Sequence, residues 1–457
     1  MARDTVDSTP IGNLSDLAAT LEAGSKSPDR FRIGTEHEKF GFFTDSLTPI
    51  PYNGSCGVKT VLEGMEWLLG WERIEEAGNI IGLADPIGGG AISVEPGGQF
   101  ELSGGPLDNL HQTCRETHVH LAQIRKVAQP MHIDFLGLGM APTWKRSDMP
   151  RMPKSRYDIM TNYMPKVGTK GLDMMYRTST VQVNLDFRDE ADMVKKMRVG
   201  LALQPIATAI FANSPFVEGK PNGLLSNRAE NWLHTDNDRV SPLPFAFKDD
   251  FGFEAYVQWA LDVPMYFIKR EGGYHDVTGT TFRAFMNGAL EVKVPDARPN
   301  MGDWNNHLST LFPDVRLKQY IEMRGADAGP WRRICAFPAF WVGLLYEEEI
   351  LDQAWEMVRD WSEEERDQLR TNVPKTALKT VFCNRTVHEI AREAALLASE
   401  GLKRRARLNE AGVDERTHLE PVEETLASGM TPAERMLQKF DGEWNGDITR
   451  VFEDYAY

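Results

Sequence analysis

Residues 32–40 read Arg-Ile-Gly-Thr-Glu-His-Glu-Lys-Phe, and the side on which the two glutamates stand decides how the rest of the chain is read. Side chains two apart on an extended strand share a face, so Glu36 and Glu38 point one way and His37 the other. Two like charges side by side repel, and the arrangement is costly unless a cation or solvent offsets them. Taken alone, the segment is equally well an edge strand with one side in water.

Three further segments repeat the theme. Residues 91–103 (AISVEPGGQFELS) form two short strands about Pro96-Gly97-Gly98. A three-residue loop pairs Glu95 with Gln99 and puts Glu95, Gln99 and Glu101 on one face. A two-residue loop would send Glu95 and Glu101 to opposite faces, and the longer loop is the expectation. In residues 180–187, Thr180, Gln182, Asn184 and Asp186 alternate strictly with Val181, Val183, Leu185 and Phe187. In residues 320–326, Ile321 and Met323 face the core while Glu322 and Arg324 face the polar side.

Strands that merely face water usually mix lysine, threonine and glutamate. These polar positions are carboxylates and amides with a single arginine, the oxygen-rich surroundings that magnesium takes when it is held by a few carboxylates together with a substrate's phosphates. Bound cations would let such a cluster coexist on one face. The sequence therefore points to an ATP-using enzyme whose site is a polar sheet face.

The basic residues lie elsewhere: Lys145, Arg146, Arg151, Lys154 and Arg156, then Lys166 and Lys170, then Lys220 and Arg228. Solvated surface is the expectation for most of them. Arg156 and Arg228 sit in loop-like sequence of the kind that clamps substrate carboxylates or phosphates.

The chain's 457 residues allow one large embellished domain or two. Acidic residues outnumber basic ones 67 to 51, which disfavours nucleic acid. The longest apolar stretch, residues 334–346, is short of the ~20 residues needed to cross a bilayer and contains Pro338, so no membrane span is expected. The N-terminus has neither an apolar signal core nor the composition of a transit peptide, from which a cytoplasmic location is expected. Four cysteines, Cys56, Cys114, Cys335 and Cys383, with no C-x-x-C pair, are thiols by default.

Texture changes from strand-and-turn to helical near Tyr346. Ser362 with Glu365, and Thr431 with Pro432 and Glu434, have the spacing of helix-capping boxes, and residues 386–410 are helical in pattern. The expected organisation is an N-terminal segment with a helix (1–30), a catalytic part (31–345) and a helical C-terminal part packed on it (346–457).

Lys166–Gly171 lacks the spacing of a phosphate-binding loop. His111, Cys114 and His118 share one side of a helix but lack a fourth zinc ligand. No Ser/His/Asp or Cys/His arrangement marks a covalent nucleophile.

GTEHEKFGF, SVEPGGQFELSG, MPKVGTKGLDMMYRTSTVQVNLDF, ANSPFVEGKPNG and YIEMRGADAGPWRR resemble glutamate-cysteine ligase of the plant and proteobacterial type. The likeness runs from about Phe31 through the TPAERML and GEW segments near the C-terminus. It implies an α+β fold with an antiparallel sheet of the glutamine synthetase and guanido kinase type, carrying ATP and magnesium. It further implies transfer of ATP's terminal phosphoryl group to the side-chain carboxylate of glutamate, and displacement of phosphate by the amine of cysteine, as in the first step of glutathione biosynthesis. A related ligase with another amine acceptor is the alternative.

By the same resemblance Glu36, Glu38, Glu95, Glu101 and Glu322 are metal ligands, and Glu38, Glu95 and Arg324 stand closest to the chemistry. Gln182, Asn184 and Arg324 face the nucleotide, and Arg156, Arg228 and Tyr266 hold glutamate. Cys114 and Cys335 occupy positions resembling a disulfide of the plant enzymes. The plant enzymes' second pair would fall at Val277 and Val292, so redox gating by that hairpin is expected to be absent. A monomer or homodimer acting on small molecules is expected.

Overall fold

The computed structural model describes residues 6–457; the first five residues of the expected N-terminal segment lie outside the described residues. The strand that carries Glu36 and Glu38 lies inside the main sheet. β1 (Ile33–Phe43) pairs along one edge with β7 (Thr180–Leu185) and, further on, with β6 (Ile133–Leu136). Along its other edge it pairs with β5 (Gln99–Ser103). From β5 the sheet continues through β4 (Ala91–Val94), β3 (Asn79–Ala84) and β2 (Glu72–Glu76), and beyond β7 it continues through strands Ile321–Asp327 and Val315–Leu317. All of these pairings are antiparallel.

The turn at Pro96–Gly98 has the expected length. Glu95 N–H donates to the Gln99 carbonyl at 2.9 Å, which sets Ser93 opposite Glu101 and Val94 opposite Phe100. Gly98 has φ +80°, and a side chain on Gly97 would collide with the Tyr176 carbonyl at 2.1 Å, so the turn needs both glycines.

The apolar residues of the strands feed two cores. Val181, Val183, Leu185, Ile321 and Met323 pack with helices Glu190–Ile210, Trp331–Leu345 and Val387–Arg405. Phe40, Ile92, Phe100 and Leu102 pack with helices Val58–Leu69 and Leu110–Ala128. Glu190–Ile210 is buried on nearly every side from Val199 onward, as befits a central helix without a polar stripe. The helices beyond Tyr346 share the first core with the sheet.

Both capping boxes form: Ser362 caps Glu363–Thr376, and Thr431 caps Pro432–Asp441. The helical pattern at 386–410 ends earlier than expected. Ala406 adopts a left-handed conformation at φ 50°, and the following segment closes a bridge between Leu408 and Asp414. Toward the N-terminus, Asn13 caps helix Leu14–Glu22, which buries Leu17 and Leu21. Among the described residues no helix is long and apolar enough to cross a membrane.

Cys114 and Cys335 are bonded, with Cα atoms 5.3 Å apart, joining helices Leu110–Ala128 and Trp331–Leu345. This corrects the thiol default for that pair, because composition does not report a proximity created 221 residues apart in sequence. Cys56 and Cys383 are free. Of the other positions on the rejected zinc pattern, His118 packs edge-on against Trp331 and His111 lies 3.1 Å from His418.

Candidate active site

Four strands bring their polar residues to one pocket of about 110 Å³, lined by Glu36, Glu38, Glu95, Glu101, Gln182 and Arg324 from the sheet. Arg156, Arg316 and the aromatic residues Tyr157, Phe267 and Phe312 close it. Register explains the convergence: Glu38 is the cross-strand partner of Glu101, Glu36 of Gln182, and Glu322 of Asn184.

The carboxylates do not share one electrical situation. Glu322 is fully buried and bound by arginines, with ion pairs to Arg316 Nε at 2.6 Å and Arg324 Nη1 at 2.8 Å. Burial alone would raise its pKa, but Arg316, then Lys318 and Arg324, hold it well below the ordinary range. Glu38 accepts from the Thr180 backbone N–H at 3.1 Å. Burial, followed by repulsion from Glu95 and Glu101, pushes its pKa well up. Glu36 accepts from Asn184 Nδ2 at 2.9 Å and is raised by burial and then by Glu322 and Glu101. Glu95 is raised by burial and then by Glu101, and Glu101 accepts from the Ser103 hydroxyl at 2.5 Å. At one end the face is neutralised by its own arginines; at the other it gathers negative charge.

Amides and arginines fix this arrangement. Arg324 Nη1 also donates to Gln182 Oε1 at 2.6 Å, and its backbone N–H donates to the Asp314 carbonyl at 3.0 Å. Arg156 lies with its guanidinium 5.3 Å from the Tyr157 ring centre.

Two residues expected to touch glutamate do not line this pocket. Arg228 is buried behind it, donating to the Arg324 carbonyl at 2.7 Å, close enough to Glu38 and Asp327 to feel their charge. Tyr266 is buried edge-on to Tyr163, with the Arg239 guanidinium 3.8 Å from its ring centre. Both are large side chains whose loop sequence gives no face period, so sequence could not tell a lining position from a supporting one. Gln99, expected on the polar face, spends its amide on the turn: Nε2 donates to the Thr178 carbonyl at 2.7 Å, and Oε1 accepts from Gly97.

Lys154, grouped with surface lysines, is instead buried, with Nζ 2.7 Å from the Val94 carbonyl; burial lowers its pKa to about 8. Arg316 and Lys318 were missed altogether. The alternation Val315-Arg316-Leu317 immediately before the fourth polar strand was the signal for Arg316.

The fold and site define a class: an antiparallel-sheet protein, covered by helices, with a carboxylate row facing arginines. Residues 32–454 match the model of glutamate-cysteine ligase family 2, and the chain belongs to that family. It is 54% identical over 442 residues to the chloroplastic glutamate–cysteine ligase of Arabidopsis thaliana, covering 97% of this chain and 82% of the relative. It is likewise 54% identical to the chloroplastic glutamate–cysteine ligase B of Oryza sativa subsp. japonica, covering 97% of this chain and 87% of the relative. A solved glutamate–cysteine ligase from Francisella tularensis, in complex with AMP, superposes with a TM-score of 0.57 at 13% identity, covering 93% of this chain and 89% of that one, a likeness of fold. The cytoplasmic expectation is overturned by the chloroplastic names of the plant relatives. Acidic composition near the N-terminus describes a surface and does not encode a compartment.

Proposed function

We propose that the chain is an ATP-dependent glutamate–cysteine ligase, joining the side-chain carboxylate of L-glutamate to the amine of L-cysteine to give γ-glutamylcysteine. Family membership supplies the substrates. The chemistry rests on one observation: a carboxylate row, Glu36, Glu38, Glu95 and Glu101, lies within one pocket of Arg156, Arg316 and Arg324. An enzyme that brings a carboxylate against a triphosphate must neutralise both anions, and a field of mixed fixed charge does that. The sheet is read as being of the glutamine synthetase and guanido kinase type, with residues 31–345 as the catalytic part and 346–457 as its helical support.

The carboxylate row fits magnesium by its donor set of hard oxygens, with burial and neighbouring carboxylates raising Glu38 and Glu95. Among the described residues no three His, Cys, Asp or Glu side chains converge to hold an ion by themselves. Magnesium keeps several waters and takes phosphate oxygens as ligands, so a few carboxylates are enough to hold it. Glu36, Glu38, Glu95 and Glu101 would hold it, and Glu322 would join them if its arginines turned to phosphate. Magnesium bound there supplies positive charge to the phosphate oxygens.

The chain's own residues do the rest. Arg324, aimed by Glu322 and Gln182 and braced through its carbonyl by Arg228, offers its guanidinium to the phosphoryl group in flight. Asn184 and Gln182 orient the row from the neighbouring strand. Arg156 pairs with the α-carboxylate of glutamate, while Tyr266 and Arg239 support that wall from behind.

The glutamate side-chain oxygen bonds to the γ-phosphorus as the bond to ADP breaks. The cysteine nitrogen then bonds to the acyl carbon, phosphate leaves, and the nitrogen gives up a proton. No enzyme nucleophile is required.

Incubation with ATP, magnesium, glutamate and a panel of amines, followed by mass spectrometry, tests the proposal. γ-Glutamylcysteine as the dominant product is the expected result. Preferential use of another amine would move the reading to a related ligase, and absence of any glutamyl product would refute it.

A further inference from the structure

The strand Ile321–Asp327 carries one residue more than β7 between two matched pairs. Met323 stands opposite Val183 and Ala326 opposite Val181, so three steps along one strand answer two along the other. Such a β-bulge bends a strand and re-aims its side chains. Strict alternation would put Ala326 on the polar face with Glu322 and Arg324, and would drive Asp327 into the apolar core. The bulge instead gives the core Ala326, which is buried with Val181 and Val183, and sets Asp327 opposite Thr180. Arg324 stands within the bulge.

A bulged backbone leaves the regular ladder, and here side chains hold it. The Arg324 carbonyl accepts from Arg228 Nη2 at 2.7 Å and from Thr180 Oγ1 at 3.3 Å. The Gly325 carbonyl accepts from Thr208 Oγ1 at 2.8 Å, and the Ala326 carbonyl from Thr180 Oγ1 at 2.7 Å. Arg228 is the charged member of that set.

What fixes Arg228 lies three residues beyond Arg324 on the same strand. Asp327 is buried; its Oδ2 accepts from the Asn213 N–H at 2.8 Å and the Ser214 hydroxyl at 2.6 Å, and its Oδ1 from the Ser226 hydroxyl at 2.7 Å. Both serines lead on to Arg228. Ser214 Oγ accepts from the Arg228 backbone N–H at 3.3 Å, and Ser226 caps helix Asn227–Leu233 by accepting from the Ala229 N–H at 3.1 Å. Burial depresses the Arg228 pKa, and Asp327 is the first of the charges that oppose it. A carboxylate that merely satisfied buried hydroxyls would have no reason to join two segments at one arginine.

We propose that Asp327 is a positioning residue for phosphoryl transfer: through Ser214, Ser226 and Arg228 it holds the bulge from which Arg324 reaches the pocket. The proposal rests on the ligase reading and deepens it. Asp327 is not among the residues that line the carboxylate pocket, and it acts through the backbone of the arginine that is. A guanidinium misplaced by about 1 Å is enough to slow the chemistry about 100-fold.

Asp327→Asn keeps the size and removes the charge. One carboxylate oxygen becomes an amide nitrogen, so a hydroxyl on that side loses its acceptor. The kcat should fall about 30-fold, while the KM values for ATP, glutamate and cysteine stay within about three-fold, because Arg324 acts on the group in transfer. Ser214→Ala, a milder cut, should show the same split at about 5-fold.

A double-mutant cycle separates positioning from mere support. In Arg324→Ala protein, Asp327→Asn should lower the residual turnover by less than about two-fold, since the group it aims is gone. The full loss repeated in that background, or a raised KM with kcat unchanged, would overturn the proposal. Should Asp327→Asn fail to fold, Ser214→Ala in the same cycle decides by the same outcomes.

Hydrogen exchange gives a reading that needs no turnover. Backbone amides of residues 321–327, followed by mass spectrometry, should exchange faster in Asp327→Asn and in Ser214→Ala than in wild type. Unchanged exchange in both folded variants would remove the positioning role. Wild-type protein that makes no glutamyl product but shows this loosening would leave the brace standing and remove the ligase reading, so the two fail separately.

Discussion

The two ends of the carboxylate face carry the same residue type in opposite states. Glu322 is closed: two arginines contact it and a lysine lies 3.9 Å away, and its charge is settled before any ligand arrives. Glu38 and Glu95 are open: burial, and after it repulsion from neighbouring carboxylates that include Glu101 in both cases, pushes both up. The difference teaches that sharing a sheet face does not give carboxylates a shared role. The closed end builds and aims an arginine, whereas the open end stores unfavourable charge that a cation can relieve, and the cost of storing it is borne by the rest of the fold.

The strongest way to break this contrast is Glu38→Gln. Turnover should fall about 1,000-fold or more, over ~4 kcal/mol of transition-state stabilisation, while thermal unfolding stays unchanged or moves upward because a repelling charge is gone. Glu36→Gln should follow the same pattern. Steady-state kinetics beside a melting curve check both, and full activity in either folded variant would end the metal assignment.

At the closed end the effect should fall on stability. Arg316 holds Glu322 and also donates to the carbonyls of Ser309 at 2.7 Å and Leu311 at 2.9 Å. Arg316→Met should cost about 3–4 kcal/mol in denaturant unfolding, as expected when one partner of a buried pair is removed. A loss below about 1 kcal/mol would mean that the end is not closed.

Another carboxylate, outside the face, calibrates the comparison. Glu116 accepts from the Gly105 N–H at 2.8 Å, and burial raises its pKa from the ordinary 4.5 to about 7. Below pH 4.5 both folded and unfolded chains hold the proton. Between 4.5 and about 7 only the unfolded chain gives it up, so the folded state loses stability across that window, by ~3 kcal/mol in all once the pH exceeds 7. Glu116→Gln should flatten that part of the stability–pH curve without changing the KM for any substrate.

Much of this face was legible because strands have a period. Alternation in residues 180–187 put Gln182 and Asn184 beside β1, and the three-residue length of the Pro96-Gly97-Gly98 turn put Glu95 and Glu101 on the same side. What was not legible depended on distance or depth. Nothing local in sequence distinguishes Lys154, whose ammonium reaches the Val94 carbonyl inside the protein, from a surface lysine. Gln99 shares the right face but is consumed by its own turn, and Arg228 and Tyr266 are held one layer behind the pocket by contacts that only the folded chain creates. The Cys114–Cys335 bond followed from family resemblance and not from composition.

The most direct test of the open end is Mn²⁺ binding followed by electron paramagnetic resonance, in the presence of a non-hydrolysable ATP analogue. Wild-type protein should bind the ion with nucleotide, and Glu38→Gln should weaken that binding about 10-fold or more, ~1.4 kcal/mol, while Glu116→Gln leaves it unchanged. Equal affinity in wild type and Glu38→Gln would contradict the account.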